Sequence, residues 1–315
     1  MIPKRFHFIW IGRNFPFVNR LAVESALQHN PGWEVVVHYE NPPEGNPDWE
    51  VLKSKAEFRP VDLPSLLGAL PESLQAIRTT LEHVSAAYPA GRSNVLRYLI
   101  LYREGGVYLD FDTLTLKSFD PLLDAPAFVG EEEVFRCDDD RIAGRYTWDF
   151  PLMAALFGAS YGISYANARW LGNNLPLNAL NRSLMRLWSA RKLNNALLGS
   201  EPGNAFFKKA IALIPETDAG MRFALGPMLM NRVYDTEAKN SVKRLDKDVF
   251  YTVPPSQTFR FFYGPAAKLP ESAVAIHWCS SNHRKLAPTL TRKVLESSNS
   301  LYARLAQSSF SGNAY

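Results

Sequence analysis

A chain of 315 residues, 46% hydrophobic and 21% charged, can bury most of the surface it exposes when unfolded, so it needs no disulfide or metal to hold it together. Its net charge of +4 is dispersed rather than gathered into a Lys/Arg stripe. That argues against a nucleic-acid partner and leaves room for a local basic site for a phosphate-bearing small molecule. Two cysteines far apart in the chain, Cys137 and Cys279, fit a reduced, cytoplasmic protein with free thiols.

The opening "RFHFIWI", residues 5–11, reads as a buried strand; its apolar run is too short for a membrane span and is not followed by a small-residue cleavage site. "FVNRLAVESALQ" places Val18, Leu21, Ala22, Ser25 and Ala26 at helical spacing, with Asn30-Pro31 as the stop. "WEVVVHYE", residues 33–40, is a second β-branched strand. Strand, helix and strand in forty residues make a βαβ unit and a locally parallel sheet, which binds ligands at the carboxyl ends of its strands. Those ends carry Trp10, Gly12 and the turn Glu40-Asn41-Pro42-Pro43.

Residues 42–60 read as loop, and 62–104 as helices broken at Pro71 and at "YPAGRSN". The helix over 93–103 stops at Gly105-Gly106, a pair suited to a C-cap and sharp turn. Strands follow near 107–111 and 113–117. The acidic run "EEEVFRCDDDR", 131–141, reads as an exposed loop. Further on come a helix over 178–191 and a strand-turn-helix in "NNALLGSEPGNAFFKKAIALI". Next are a Gly-Pro turn opening a helix in "FALGPMLMNRVY" (223–234) and a mixture of short strands and turns over 248–264. The last strand is "AVAIHW". "NRS" at 181–183 matches the glycosylation sequon by chance. No segment reaches spanning length, and no repeat is found. Alternating strands and helices predict an α/β fold with added helices in one catalytic unit.

The most informative stretch is "SNVLRYLILYREGGVYLDFDT". A buried strand, Val107-Tyr108-Leu109, runs into Asp110-Phe111-Asp112. In an extended segment, side chains at i and i+2 share a face, so the two carboxylates would stand together and repel. A divalent cation that prefers oxygen removes that cost. Two carboxylates leave most of its shell open to waters and diphosphate oxygens, as is usual for Mg²⁺ or Mn²⁺. Asn94 and Arg97, three apart, put a polar pair on one face of an otherwise apolar helix.

This block resembles the Asp-X-Asp sugar-binding motif of glycosyltransferases related to fungal initiating mannosyltransferases, bacterial capsular sugar transferases and the glucosyltransferase domain of large clostridial toxins. Ser93, Arg97, Tyr98, Leu101, Gly105, Gly106, Tyr108, Asp110 and Asp112 match that pattern. Asn94 stands where the family usually has Asp; Asn keeps one acceptor oxygen and adds donors, which bears on donor identity more than on reaction class. The resemblance implies a GT-A-like nucleotide-sugar-binding fold with a mostly parallel central sheet flanked by helices. It implies one catalytic domain over 1–315, with a nucleotide-sugar half (1–120) and an acceptor-side half (121–315).

It further implies transfer of a sugar from a nucleotide diphosphate sugar, UDP-sugar ahead of GDP-sugar, to an acceptor hydroxyl with retention. The metal, Mn²⁺ or Mg²⁺, would sit on Asp110, Asp112 and His277. Trp10 would stack on the base, with Asn41 and Tyr108 near the nucleotide. Asn94, Arg97 and Asn194 or Asn195 would line the sugar and diphosphate. Trp278, Ser280, Ser281 and Lys285 would form a lid, with Lys285 or Arg284 supplying charge. The acceptor is open: saccharide, natural product or protein. Two rivals remain. A sugar nucleotidyltransferase would want a Gly- and Lys-rich first loop, which "WIGRNFP" is not. A catalytically weak sugar-binding domain would bind nucleotide with metal and not turn over.

Overall fold

The computed structural model describes residues 1–68, 70–84, 88–135, 150–170, 189–221, 223–263 and 268–310. Cys137, the end of the acidic run, the sequon and residues 178–188 of the expected helix lie outside them. Among the described residues, seven strands form a central sheet in the order β3-β2-β1-β4-β7-β6-β8. They are β1 (Arg5–Ile11), β2 (Glu34–Glu40), β3 (Glu57–Pro60), β4 (Gly106–Leu109), β6 (Ala127–Phe135), β7 (Ser189–Ser200) and β8 (Lys243–Leu245). Strands β5 (Thr113–Thr115) and β9 (Ala275–His277) pair separately and antiparallel, with Thr113 opposite His277. In the central sheet only β7 runs against its neighbours; the other pairings are parallel.

The chain order explains where a ligand fits. From β1 the chain moves outward through α1 (Phe17–His29), β2, α2 (Pro47–Lys53) and β3. It then returns through α3 (Leu63–Gly68), α4 (Ile77–His83) and α5 (Pro89–Glu104) to place β4 on the other side of β1. This reversal opens a crevice at the carboxyl ends of β1 and β4, the usual ligand position in an α/β sheet. Side-chain alternation divides the core. Phe6, Phe8, Val107 and Leu109 face α1 and α2, where Ala22, Val23, Trp49 and Leu52 close one apolar cluster. Ile9 and Tyr108 face α5 and the later helix α7 (Ala205–Leu213), which close the other. A third cluster joins Val18 and Leu21 of α1 to Leu114, Ile276, Trp278 and the C-terminal helix Leu301–Phe310.

Four expectations are corrected. Residues 42–60 are not all loop: Asn46 caps α2 by accepting from the N–H groups of Asp48 and Trp49, Pro47 takes the first helical position, and β3 forms the sheet edge. Residues 131–135 belong to β6, and Glu131 and Glu132 are buried. Residues 189–191 open β7 rather than end a helix. Residues 248–264 hold helical turns, Lys247–Phe250 and Pro255–Phe261, and no strand among those described. The α6 helix (Phe150–Trp170) was not anticipated.

Candidate active site

Strand β4 begins at Gly105-Gly106, and the local chemistry requires both glycines. Their φ values are +68° and +93°, a region that disfavours side chains. A Cβ on Gly105 would fall 2.8 Å from the Ser200 carbonyl oxygen, and one on Gly106 2.7 Å from that of Arg5. Beneath this turn lies a buried histidine pair. His7 Nε2 faces the Gly105 carbonyl at 3.0 Å and His7 Nδ1 faces His38 Nε2 at 3.0 Å. A carbonyl only accepts, so His7 donates from Nε2, and neutral His7 then accepts at Nδ1 from His38. Burial keeps both pKa values low, helped at His7 by the nearby His38 ring and at His38 by Arg59, which leaves His38 at about 3.

After β4 the chain turns rather than running on extended. The Asp110 carbonyl accepts from the Thr113 N–H at 3.2 Å and its hydroxyl at 2.8 Å. Phe111 points inward against Phe8, Trp10 and Phe15. The two carboxylates nevertheless converge: ligand atoms of Asp110, Asp112 and His277 lie within 4.8 Å of one another. Each carboxylate has its own holder. Arg97 grips Asp110 with both terminal nitrogens, at 3.1 and 3.3 Å, and Tyr108 donates its O–H to Asp110 Oδ1 at 2.5 Å. Asp112 accepts from the Ser280 N–H at 2.7 Å and meets His277 Nε2 at 3.2 Å. The pairing of β5 with β9 brings His277 there, because Thr113 and His277 are cross-strand partners.

These environments push the two acids apart. Burial raises the Asp110 carboxyl, with Arg97 pulling against it. Burial also works against ionisation of Asp112, but His277 and the Ser280 N–H outweigh it and hold Asp112 down to about 2. His277 stays well above the ordinary imidazole range against its own burial, through Cys279 and Asp112. Burial raises the Cys279 thiol, which is therefore neutral near pH 7, so the Asp112 carboxylate is the partner that matters there.

A second feature comes from β7. Between β6 and β7 the register breaks: Val129 pairs with Leu198, but Glu131 pairs with Leu193. Residues 194–197 thus oppose Gly130 alone, a bulge that turns side chains out of the ladder. Asn194 donates to Glu132 Oε2 at 2.5 Å, and Asn195 donates to Asn94 Oδ1 at 2.8 Å and to the Tyr98 hydroxyl at 3.0 Å. The Asn195 carbonyl, freed by the bulge, accepts from Arg97 at 2.5 Å. Gly226 lets the chain approach this cluster, since a Cβ there would lie 3.0 Å from Asn94 Nδ2.

The resulting cleft has a volume of about 1880 Å³. Trp10, Asn94, Arg97, Asp110, Asp112, Asn194, Asn195, His277, Ser280, Ser281 and Arg284 line it, as the sequence suggests, and so do Glu132, Cys279 and His283, which it did not single out. Four expected residues stand elsewhere. Trp278 is fully buried in the third apolar cluster and forms no lid. Tyr108 is buried beneath Asp110 and holds that carboxylate rather than packing on a nucleotide. Asn41 is exposed in a left-handed turn (φ 53°) outside the lining, and Lys285 is outside it too. Arg97 is only 4% exposed, and its guanidinium donates to Ser93, Asp110 and Asn195, with a further ionic contact to Asp110. It therefore positions Asp110.

From residue 16 to residue 129 the sequence matches the family described as a glycosyltransferase sugar-binding region containing a DXD motif. That matching stretch is 114 of the 315 residues. Its DXD motif is Asp110-Phe111-Asp112. Over 141 residues the chain is 28% identical to glucan organizing enzyme 1 of Cryptococcus neoformans var. grubii, covering 42% of this chain and 34% of that protein. Over 128 residues it is 30% identical to inositol phosphoceramide mannosyltransferase 3 of Schizosaccharomyces pombe, covering 41% and 29%. The chain spans about a third of the length of these curated relatives. Among solved structures, the PaToxG glycosyltransferase aligns with a TM-score of 0.44 at 18% identity, covering 76% of this chain and 73% of that one. The mostly parallel sheet with flanking helices is the α/β architecture that the alternating strands and helices of the sequence suggest. Among the described residues, no helix is long and apolar enough to cross a membrane.

Proposed function

We propose that this protein transfers a sugar from a UDP- or GDP-sugar to an acceptor hydroxyl, with a divalent cation, Mn²⁺ or Mg²⁺, held by Asp110, Asp112 and His277. The observation that carries this reading is the convergence of those three side chains within 4.8 Å at the carboxyl edge of the sheet, beside Trp10. Two carboxylates and an imidazole form a donor set suited to such an ion. The 3.2 Å between Asp112 Oδ1 and His277 Nε2 is close to the edge of an octahedron with bonds of roughly 2.1 Å. A bound cation would offset the charge that builds on the departing nucleoside diphosphate, an effect worth several kcal/mol.

The protein's own groups do the rest. Arg97 and Tyr108 fix Asp110 in one orientation, and Ser280 fixes Asp112, so neither carboxylate needs to reorganise when charge develops. Trp10 is half-buried, held edge-on by Phe15 and Phe111 with its indole N–H on the Gly12 carbonyl; it offers a face for a base. Asn94 uses its oxygen to accept from Asn195, leaving amide N–H groups to meet donor-sugar hydroxyls. Arg284, which lines the cleft, would meet phosphate oxygens. With retention, which the resemblance implies, the acceptor attacks from the face that the phosphate leaves, so that phosphate can take the acceptor proton and no side-chain base is needed.

The test is a screen of UDP- and GDP-sugars read by release of nucleoside diphosphate, with Mn²⁺ and with chelator. Slow hydrolysis of at least one donor, abolished by chelator, is expected. Tight metal-dependent nucleotide binding with no turnover of any donor, or pyrophosphate-dependent formation of nucleoside triphosphate, would replace transfer with one of the rival readings.

A further inference from the structure

We propose that Glu132, His277 and Cys279 form a second cation site, for a thiophilic divalent ion of the Zn²⁺ class, and that this site competes with the DXD site for the His277 imidazole. The competition rests on the reading of Asp110, Asp112 and His277 as a cation site.

The geometry begins in the sequence His277-Trp278-Cys279. His277 ends β9, and Cys279 follows two residues on in a left-handed conformation (φ 52°). Trp278 goes into the core, while His277 and Cys279 both line the cleft. The distance from Cys279 Sγ to His277 Nδ1 is 3.5 Å. A tetrahedral zinc with bonds of ~2.1 Å to nitrogen and ~2.3 Å to sulfur sets those atoms about 3.6 Å apart. Glu132 reaches across from β6, and its carboxylate, the imidazole nitrogen and the thiol sulfur lie within 4.8 Å of one another. Glu132 is 5% exposed, and Asn194 anchors one of its oxygens at 2.5 Å. A hydrogen-bonded ligand carboxylate is the arrangement that orients metal ligands. All three residues border the cleft, so a fourth position would open towards it. Soft thiolate and imidazole favour Zn²⁺, and Mn²⁺ is the weakest binder of the divalent first-row series.

The competition follows from the imidazole. A neutral ring has one nitrogen lone pair and one N–H. Coordination through Nε2 serves the DXD site and leaves the proton on Nδ1, facing Cys279. Coordination through Nδ1 serves the thiol site and leaves the proton on Nε2, facing Asp112 Oδ1 at 3.2 Å. Asp112 then becomes the outer carboxylate that supports a histidine on zinc. One side chain cannot hold both ions in its neutral form.

The experiment uses Co²⁺ as a spectroscopic stand-in for Zn²⁺, added to the full chain without nucleotide. A thiolate-to-cobalt absorption in the near ultraviolet is expected from the parent and from Cys137→Ser, and its loss from Cys279→Ser. Glu132→Gln, which keeps the Asn194 contact within reach, should weaken cobalt binding by on the order of tenfold. No such absorption in the parent, or its survival in Cys279→Ser, overturns the site. In a second arm, UDP affinity is measured with Mn²⁺ while Zn²⁺ is titrated in. Zn²⁺ should weaken UDP binding in the parent and not in Cys279→Ser. If cobalt binds through Cys279 but Zn²⁺ leaves UDP affinity unchanged, the sharing of His277 is wrong. If neither UDP nor GDP shows any Mn²⁺ dependence, the transferase reading fails while the cobalt result still decides the thiol site.

Discussion

Arg97 and Asp110 offer a quantitative test of how the DXD site is built. The guanidinium is 4% exposed and makes a two-nitrogen contact with a carboxylate whose side chain is 27% exposed. Removing one member of a buried pair typically costs 3–5 kcal/mol, because the other is left charged and unpaired. Partial exposure of Asp110 places Arg97→Met at the lower end, about 3 kcal/mol. Asp110→Asn should cost a similar ~3 kcal/mol, since Arg97 keeps Ser93 and Asn195 but loses its counter-charge. In the double variant no stranded charge remains, so its loss should fall short of the summed singles by about 1–3 kcal/mol. Urea unfolding followed by circular dichroism and by tryptophan fluorescence measures this, provided the two probes coincide. Losses that add to within about 0.5 kcal/mol would show that Arg97 does not hold Asp110, and the positioning argument would go with them.

Three more outcomes follow from other parts of the molecule. His38 has a folded-state pKa of about 3 against 6.5 for an ordinary histidine, and His7 is also lowered, both by burial. As pH falls below 6.5 the unfolded chain takes up protons that the folded chain refuses. Stability therefore drops on acidification, by about 2 kcal/mol from His38 between pH 8 and pH 5; a His38→Gln variant that keeps the full parental acid sensitivity would argue against this. Trp10→Ala should weaken nucleotide binding several-fold while leaving its dependence on Mn²⁺ intact, and calorimetry showing unchanged affinity would remove Trp10 from the site. Asn94→Asp restores a carboxylate where an amide now offers donors, so the ranking of donors in a hydrolysis screen should change; an identical ranking would show that Asn94 does not meet the sugar.

How much of this was legible in the chain depends on which signals are local. The βαβ opening and the Gly105-Gly106 stop are short-range patterns, and the structure places them as the sequence suggests; the Asp-X-Asp carboxylates also converge, but across a turn rather than along an extended strand. The β-bulge at 194–197 is not local, because it exists only through the pairing of β6 with β7. Glu132 was hidden for the same reason. An acidic run reads as solvated until the sheet buries it, and here Glu131 meets Arg191 and Arg244 on one face while Glu132 meets Asn194 on the other. Trp278 was misplaced because Ser280, Ser281 and Lys285 after it suggested a lid over the diphosphate, whereas the indole is fully buried in the third apolar cluster. The α2 helix had a readable start in Asn46-Pro47-Asp48, but the surrounding prolines and charges obscured it. Arg97 was expected to line the sugar and diphosphate; that its hydrogen bonds go to Ser93, Asp110 and Asn195 could be seen only once Asn195 was in place.

The central claim is that one cation on the paired aspartates carries the nucleotide. Calorimetric titration of UDP and of GDP into the protein with Mn²⁺, with chelator, and into Asp112→Asn with Mn²⁺ tests it most directly. Binding of at least one nucleotide to the parent with Mn²⁺ is expected, with loss of that binding in chelator and in a folded Asp112→Asn variant. Equal affinity in all three conditions would contradict the account.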